Sequence, residues 1–211
     1  MKQRIITALI WLPIVVAITW WGNIPFVLMM LGFLAVGIWE THKICAAKGR
    51  GGDIGLLLPL VLYLLVGFGS LLALRVIWPN PLLVLFGCLI CWVTDSFAYF
   101  TGRAFGKHKL APTVSPKKTW EGAIGGTAFA LLLLVPYAVK LLGMPAVPAF
   151  VCVFIGSVLG QIGDLLESKL KRWGGVKDSG NFFPGHGGVL DRLDSLMLAC
   201  PAVLLMWYLF V

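Results

Sequence analysis

Charge is what this chain has least of. Only 12% of its 211 residues are Asp, Glu, Lys or Arg, where a soluble domain carries about 25%. With 59% hydrophobic residues and a mean hydropathy of +0.93, there is more apolar surface than one soluble core of this size can hide. The bilayer is the natural solvent. Acids are scarcer than bases, 9 against 17, for a net charge of +8. In a soluble protein that excess suggests nucleic acid. Here the basic residues flank apolar runs, which points to anionic headgroups, a phosphorylated substrate and control of topology. Nucleic acid is not expected as a partner.

Other absences narrow the reading further. There is no internal repeat, low-complexity tract or disordered linker, so residues 1–211 read as one integral membrane domain. The Walker pattern GxxxxGK[ST] is missing. Cysteines number five, and the Cys88/Cys91 pair has no second pair and no nearby His. They read as small apolar packing residues rather than a zinc or redox site. The basic start followed by Ile5–Trp20 lacks a clean small-x-small cleavage site, so it reads as a retained membrane helix rather than a signal peptide.

What is present is a series of long apolar runs. A spanning helix takes about 20 mostly apolar residues. Seven runs qualify: Ile5–Trp21, Ile24–Ile44, Ile54–Leu74, Leu82–Phe100, Ala123–Val139, Val147–Ile162 and Leu196–Val211. The predicted fold is an all-α polytopic membrane protein of about seven helices. With the N-terminus inside, 15 of the 17 basic residues fall on the cytoplasmic side, and only Arg75 and Lys140 fall outside. All nine acids also fall on the inner side. The chemistry is therefore expected at the inner helix ends. Pro59, Pro136 and Pro201 sit in or near apolar runs, where kinks are expected.

Two polar stretches remain, roughly 101–122 and 167–192. In the second, Asp164, Glu167, Ser168 and Lys171 recur at i, i+3, i+4 and i+7 and share one helix face. Carboxylates at a membrane helix end are costly unless paired or bound to a cation, so this face is either a salt-bridge surface or half of a metal site. Residues 174–188, GGVKDSGNFFPGHGG, cannot form a regular helix. Glycines let backbone N–H groups approach an anion, and Lys177 and His186 add donors, which suits a phosphate cradle. Asp191, Arg192 and Asp194 are expected to open the last helix, with both acids on one face. With Asp164 they offer hard oxygen ligands of the kind Mg²⁺ prefers. In the first stretch Asp95 stands among Trp92, Val93, Phe97 and Ala98, a functional candidate by its setting. Lys117 and Lys118 are candidate phosphate contacts. Trp120 is expected to anchor at the interface.

These residues resemble the phosphatidate cytidylyltransferase family. Its signature corresponds here to Ser168, Leu170, Lys171-Arg172, Lys177-Asp178, Gly180, Phe183, Pro184-Gly185-His186-Gly187-Gly188, Asp191-Arg192 and Asp194. Three further segments are similar: Asp95–Tyr99, Gly106–Pro112 and Ser115–Gly122. So is Gly160–Ser168, just before the signature. The resemblance is strong from about Leu82 onward and weaker before it, where it reaches only Trp39-Glu40. Members usually run longer, with more membrane helices ahead of the Asp95 segment. The chain thus divides into shortened front helices (1–81) and a catalytic half (82–211) with its signature at 168–194.

The resemblance implies that CTP and phosphatidic acid give CDP-diacylglycerol and pyrophosphate at a site facing the cytoplasm, in a bacterial inner membrane. It implies Mg²⁺, and admits an additional monovalent cation and a homodimer. It assigns Asp164, Asp191 and Asp194 to the metal, with Asp95 or Glu167 as further ligands. Lys171, Arg172, Lys177 and Lys118 would meet phosphates. Asp178, His186 and the glycine loop, Gly187 and Gly188 included, would shape the nucleotide pocket, and Lys117, Ser168 and Arg192 would contact substrate. Competing readings are a transferase acting on another membrane lipid, a transporter, and a non-catalytic scaffold. A transporter predicts acids through the bilayer depth or repeats, and a scaffold predicts eroded polar motifs.

Overall fold

The structure, a computed structural model, describes residues 2–78 and 80–210. All seven apolar runs are helical: α1 (Lys2–Trp21), α2 (Asn23–Ala47), α3 (Ile54–Val76), α4 (Pro81–Phe105), α5 (Trp120–Leu141), α6 (Ala146–Gly174) and, after a four-residue α7 (Leu190–Leu193), α8 (Leu196–Phe210). The protein is an all-α polytopic membrane protein. Five helices, α2 to α6, are long and apolar enough to cross a bilayer, while the apolar parts of the first and last, Leu9–Trp21 and Leu196–Phe210, are shorter. At 1.5 Å per residue, the 15 residues of α8 rise about 22 Å, short of a core of about 30 Å. Val211, placed at the end of the last predicted span, lies outside the described residues, as do the side chains of Lys2 and Arg4.

Helix ends follow local chemistry. Asp53 caps α3, its Oδ1 accepting from Leu56 N at 3.1 Å. Hydrogen bonding from Arg50, and then from the Leu56 amide, holds its carboxyl below the usual carboxylate range. Asn80 caps α4, accepting from Leu82 N at 3.0 Å with Pro81 in the first turn. Thr119 caps α5, accepting from Gly122 N at 3.1 Å. Two helices outrun their predicted spans by more than a turn at the C-terminal end. α4 continues to Phe105 and α6 to Gly174, because a helix leaving the bilayer keeps its own hydrogen bonds and has no reason to stop at the polar boundary. One element lies in a stretch for which only polarity was read from the sequence. Residues 109–111 (β1) and 115–119 (β2) pair as an antiparallel hairpin.

In lipid, apolar contact between helices gains little from release of water, so close approach and polar contacts hold the bundle. α4 and α5 meet most closely. A Cβ on Gly126 would come 2.5 Å from the Thr94 carbonyl oxygen and 2.9 Å from Ala98 Cβ. Beside this seam lies a buried hydroxyl chain. Thr94 Oγ1 donates to Ser157 Oγ at 2.9 Å, Ser157 and Thr127 hydroxyls are 2.9 Å apart, and Gln161 Nε2 donates to Thr127 Oγ1 at 3.0 Å. This chain ties α4, α5 and α6 together next to Asp95 and just before Asp164. At the opposite end of α3, buried Arg75 donates to the Thr19 and Trp20 carbonyls at 2.9 and 3.1 Å. It thereby neutralises the C-terminal pole of α1. The five cysteines are all free, and four are buried.

Candidate active site

The ends of α4, α5 and α6, the hairpin and α7 enclose a polar cavity of about 590 Å³. It gathers seven of the predicted residues: Asp95, Lys117, Lys118, Asp164, Asp191, Arg192 and Asp194. Helical spacing explains one wall. Asp95, Tyr99 and Arg103 lie at i, i+4 and i+8 on α4 and all face the cavity. The sequence alone assigns no role to Tyr99 and Arg103, although their spacing from Asp95 is visible in it. Gln161 and Thr119 also line it. Across from Asp95, Lys118 of β2 pairs with Asp164 of α6, whose other oxygen accepts from Ser168 Oγ at 3.3 Å. The hairpin is tied back by His108, whose Nδ1 is 2.6 Å from Glu121 Oε1 and whose backbone N–H also meets that carboxylate.

Behind this wall lies a second charged layer. Lys171 Nζ stands 2.5 Å from both Glu167 Oε2 and Asp191 Oδ1, with a side chain only 11% exposed. Its charge is neutralised inside the protein rather than offered to the cavity. The remaining Asp191 oxygen accepts from Gly188 N at 2.8 Å, Ser179 N at 2.8 Å and Ser179 Oγ at 3.0 Å. Burial alone would raise the Asp191 carboxyl. Lys171 and these backbone donors outweigh that and hold it below the ordinary range. Asp194 differs. Burial first, then the negative charges of Asp164 and Asp95, pushes its carboxyl well above the ordinary range.

The expected opening of the last helix is corrected by the structure. Asp191 belongs to the short α7, and Asp194 sits at a break, its Oδ1 accepting from Ser195 N at 2.7 Å. The two acids therefore do not share the first turn of α8. Asp194 stands near enough to Asp164 to feel its charge, while Asp191 points back to Lys171.

The glycine loop folds by recognisable turn chemistry. Pro184 and Gly185 are the central pair of a turn closed by His186 N to Phe183 O at 2.9 Å. Gly185 has φ 75°, as a type II turn requires at that place. Phe182 and Phe183 pack against the front helices: Trp11 to Phe183 is 5.2 Å edge-on, and Phe33 to Phe183 is 6.1 Å. Thr7 Oγ1 donates to Pro184 O at 2.8 Å. Asp178, His186, Gly187 and Arg192 line a smaller polar cavity of about 430 Å³. Lys177 is exposed, and Arg172 donates to Val176 O at 3.2 Å on the surface. Neither lines the main cavity. Arg192 is shared, facing the main cavity, the smaller one, and an apolar cavity of about 300 Å³ between α1, α2, α3 and α4.

The metal expectation can be set against this donor set. Asp95, Asp164 and Asp194 present hard oxygens to one cavity. Among the described residues, no three His, Cys, Asp or Glu side chains draw together as a group able to hold a metal alone. Mg²⁺ is usually held by one or two carboxylates and completed by substrate phosphates, and for that arrangement the donor set fits.

The residue missed most completely is Glu40. It is wholly buried on α2 and accepts hydrogen bonds from the loop and the start of α7. Its signals in the sequence are a lone acid beside Trp39 and Thr41 in an apolar run and the weak end of the resemblance at Trp39-Glu40.

Comparison with known proteins places the chain among cytidylyltransferases. A model of the cytidylyltransferase family matches residues 51–210. The chain is 46% identical over 128 residues to the phosphatidate cytidylyltransferase of Bacillus subtilis (strain 168), covering 60% of this chain and 48% of that protein. It is 49% identical over 124 residues to the phosphatidate cytidylyltransferase of Haemophilus influenzae, covering 56% and 43%. With that of Brucella abortus biovar 1 it shares 50% over 129 residues, covering 60% and 47%. The chain spans about half the length of these relatives. With most of its length matched, and with the matched part carrying the polar cavity, the chain belongs to the cytidylyltransferase family.

Proposed function

We propose that this protein transfers the cytidylyl group of CTP to phosphatidic acid, giving CDP-diacylglycerol and pyrophosphate. The observation that carries this reading is the position of Arg192. It stands where a polar cavity lined by four carboxylates and two lysines meets an apolar cavity among the front helices. A phosphorylated lipid needs such a junction, with its acyl part on one side and its phosphate on the other.

The chemistry follows from the charges. An oxygen of the phosphatidate phosphate attacks the α-phosphorus of CTP, and the bond to the β-phosphate bridging oxygen breaks to release pyrophosphate. No strong base is required, since the phosphate monoester is already ionised. The obstacle is repulsion between anions, and fixed positive charge lowers it. Lys117 and Lys118 meet the nucleotide phosphates, and Arg192 holds the lipid phosphate so that the attacking oxygen is aligned. Asp164 and Asp194, with Asp95 beside them, would hold Mg²⁺, which would supply positive charge to offset the charge developing on the phosphate oxygens. Asp191, taken above as a metal ligand, is better used as the anchor of Lys171 and the loop, since all its hydrogen bonds face inward. Asp178, His186 and Gly187 border the nucleotide. We place the site on the cytoplasmic side of a bacterial inner membrane, on the basic bias of the inner segments.

The test is product formation by purified protein in detergent from labelled CTP and phosphatidic acid, with Mg²⁺ or with EDTA. Mg²⁺-dependent CDP-diacylglycerol is expected. Folded protein that gives no product from phosphatidate but does from another phosphorylated lipid would overturn the substrate assignment.

A further inference from the structure

Glu40 is a buried carboxyl group around which the signature loop is built. It lies on α2, ahead of the residues matched by the family, and is 0% exposed. Its Oε1 accepts from Val189 N at 3.0 Å. Its Oε2 accepts from Leu190 N at 3.0 Å and from Ser179 Oγ at 2.9 Å. Among the described residues no Lys, Arg or His pairs with it. A buried carboxylate without a countercharge is tolerated only when donors converge on it, and these donors all come from the loop and the entry to α7. The loop closes tightly here. A Cβ on either Gly180 or Gly188 would collide with the Glu40 carboxyl group.

The link onward runs through Ser179. Its hydroxyl is 2.9 Å from Glu40 and 3.0 Å from Asp191. One proton serves one acceptor at a time, so the hydroxyl donates to one carboxylate while packed against the other, and its place between them links Glu40 to Asp191. Asp191 in turn holds Lys171 at 2.5 Å, and its neighbour Arg192 faces the cavities. We propose that Glu40 is a positioning residue: through Ser179 and the Val189 and Leu190 amides, it sets where Asp191 and Arg192 stand relative to the polar cavity. The effect on turnover rests on the cytidylyl-transfer reading above. The effect on the loop does not.

The experiment compares the full chain with Glu40→Gln, Ser179→Ala and the double variant, by steady-state kinetics and by amide hydrogen exchange over residues 176–193. Gln matches Glu in shape, but its NH₂ must face a donor at one end, so one of the three bonds is lost. Glu40→Gln should lower kcat about 10-fold or more, the scale of one lost charge-assisted hydrogen bond, with KM for CTP within about threefold. A residue needed only for folding would reduce the amount of active protein and leave the kcat of the folded fraction unchanged. The double variant should be no worse than Glu40→Gln alone, since both act along one link. Exchange should quicken at 179 and 188–190. Folded Glu40→Gln with kcat within twofold of wild type, or a double variant whose loss is the product of the single losses, overturns the proposal. If Glu40→Gln does not fold, Ser179→Ala decides: unchanged kcat and unchanged exchange refute the link. If wild type makes no product, the reaction assignment fails, and exchange in wild type against the variants still decides whether Glu40 orders the loop.

Discussion

Lys171 on α6 and Asp191 on α7 form an ion pair of 2.5 Å behind the polar cavity, and Glu167 meets the same ammonium at 2.5 Å. Removing one partner of a buried pair leaves uncompensated charge, at a cost of about 3–5 kcal/mol. Lys171→Met should therefore lower the melting temperature in detergent markedly, read by tryptophan fluorescence. A variant melting within a degree or two of wild type would show that Lys171 faces solvent or substrate instead.

The acid limb of stability follows from Asp191. Its carboxyl is held below the ordinary carboxylate value of about 3.9. A depressed acid contributes stability that is present above its unfolded pKa and lost as pH falls through the folded one. Wild-type melting temperature should thus decline below about pH 4, and Asp191→Asn should start lower and decline less steeply there. Parallel curves would refute the assignment.

Arg192 joins the cavities, so its loss should weaken lipid use more than nucleotide use. Arg192→Ala should lower kcat/KM for phosphatidate about 10- to 100-fold, the range for a charged hydrogen bond, with a smaller change for CTP. Equal losses for both substrates would place it on the nucleotide alone.

Asp164 pairs with Lys118 and is assigned to Mg²⁺. Wild type is expected to bind Mn²⁺ in paramagnetic titration with CTP present, and Asp164→Asn should abolish that binding while leaving the melting temperature in EDTA little changed. Undiminished Mn²⁺ binding would remove Asp164 from the metal.

Orientation can be read directly. In a cysteine-free background, Lys117→Cys should react with an impermeant maleimide from the cytoplasmic side and Lys140→Cys from the other. The reverse pattern would invert the topology.

The sequence by itself determined the solvent, the helices and most of the chemistry. Runs such as Leu82–Phe100 had to be helical because lipid offers no partner for a free backbone amide. Asp95, Lys118, Asp164 and Asp194 were visible as polar groups too costly to keep in apolar surroundings without purpose. Helix α4's cavity face was also legible as the spacing of Asp95, Tyr99 and Arg103. What only the tertiary structure decided was which charge meets which. Lys171 and Lys118 look alike as basic residues at a membrane surface, yet one is neutralised behind the wall and the other lines the cavity. The burial of Glu40 depends on contacts across more than a hundred residues. Hydrophobic periodicity reports the face a residue belongs to. It carries no information about the partner on the facing element, because that pairing is set by how helices cross and where the loop closes.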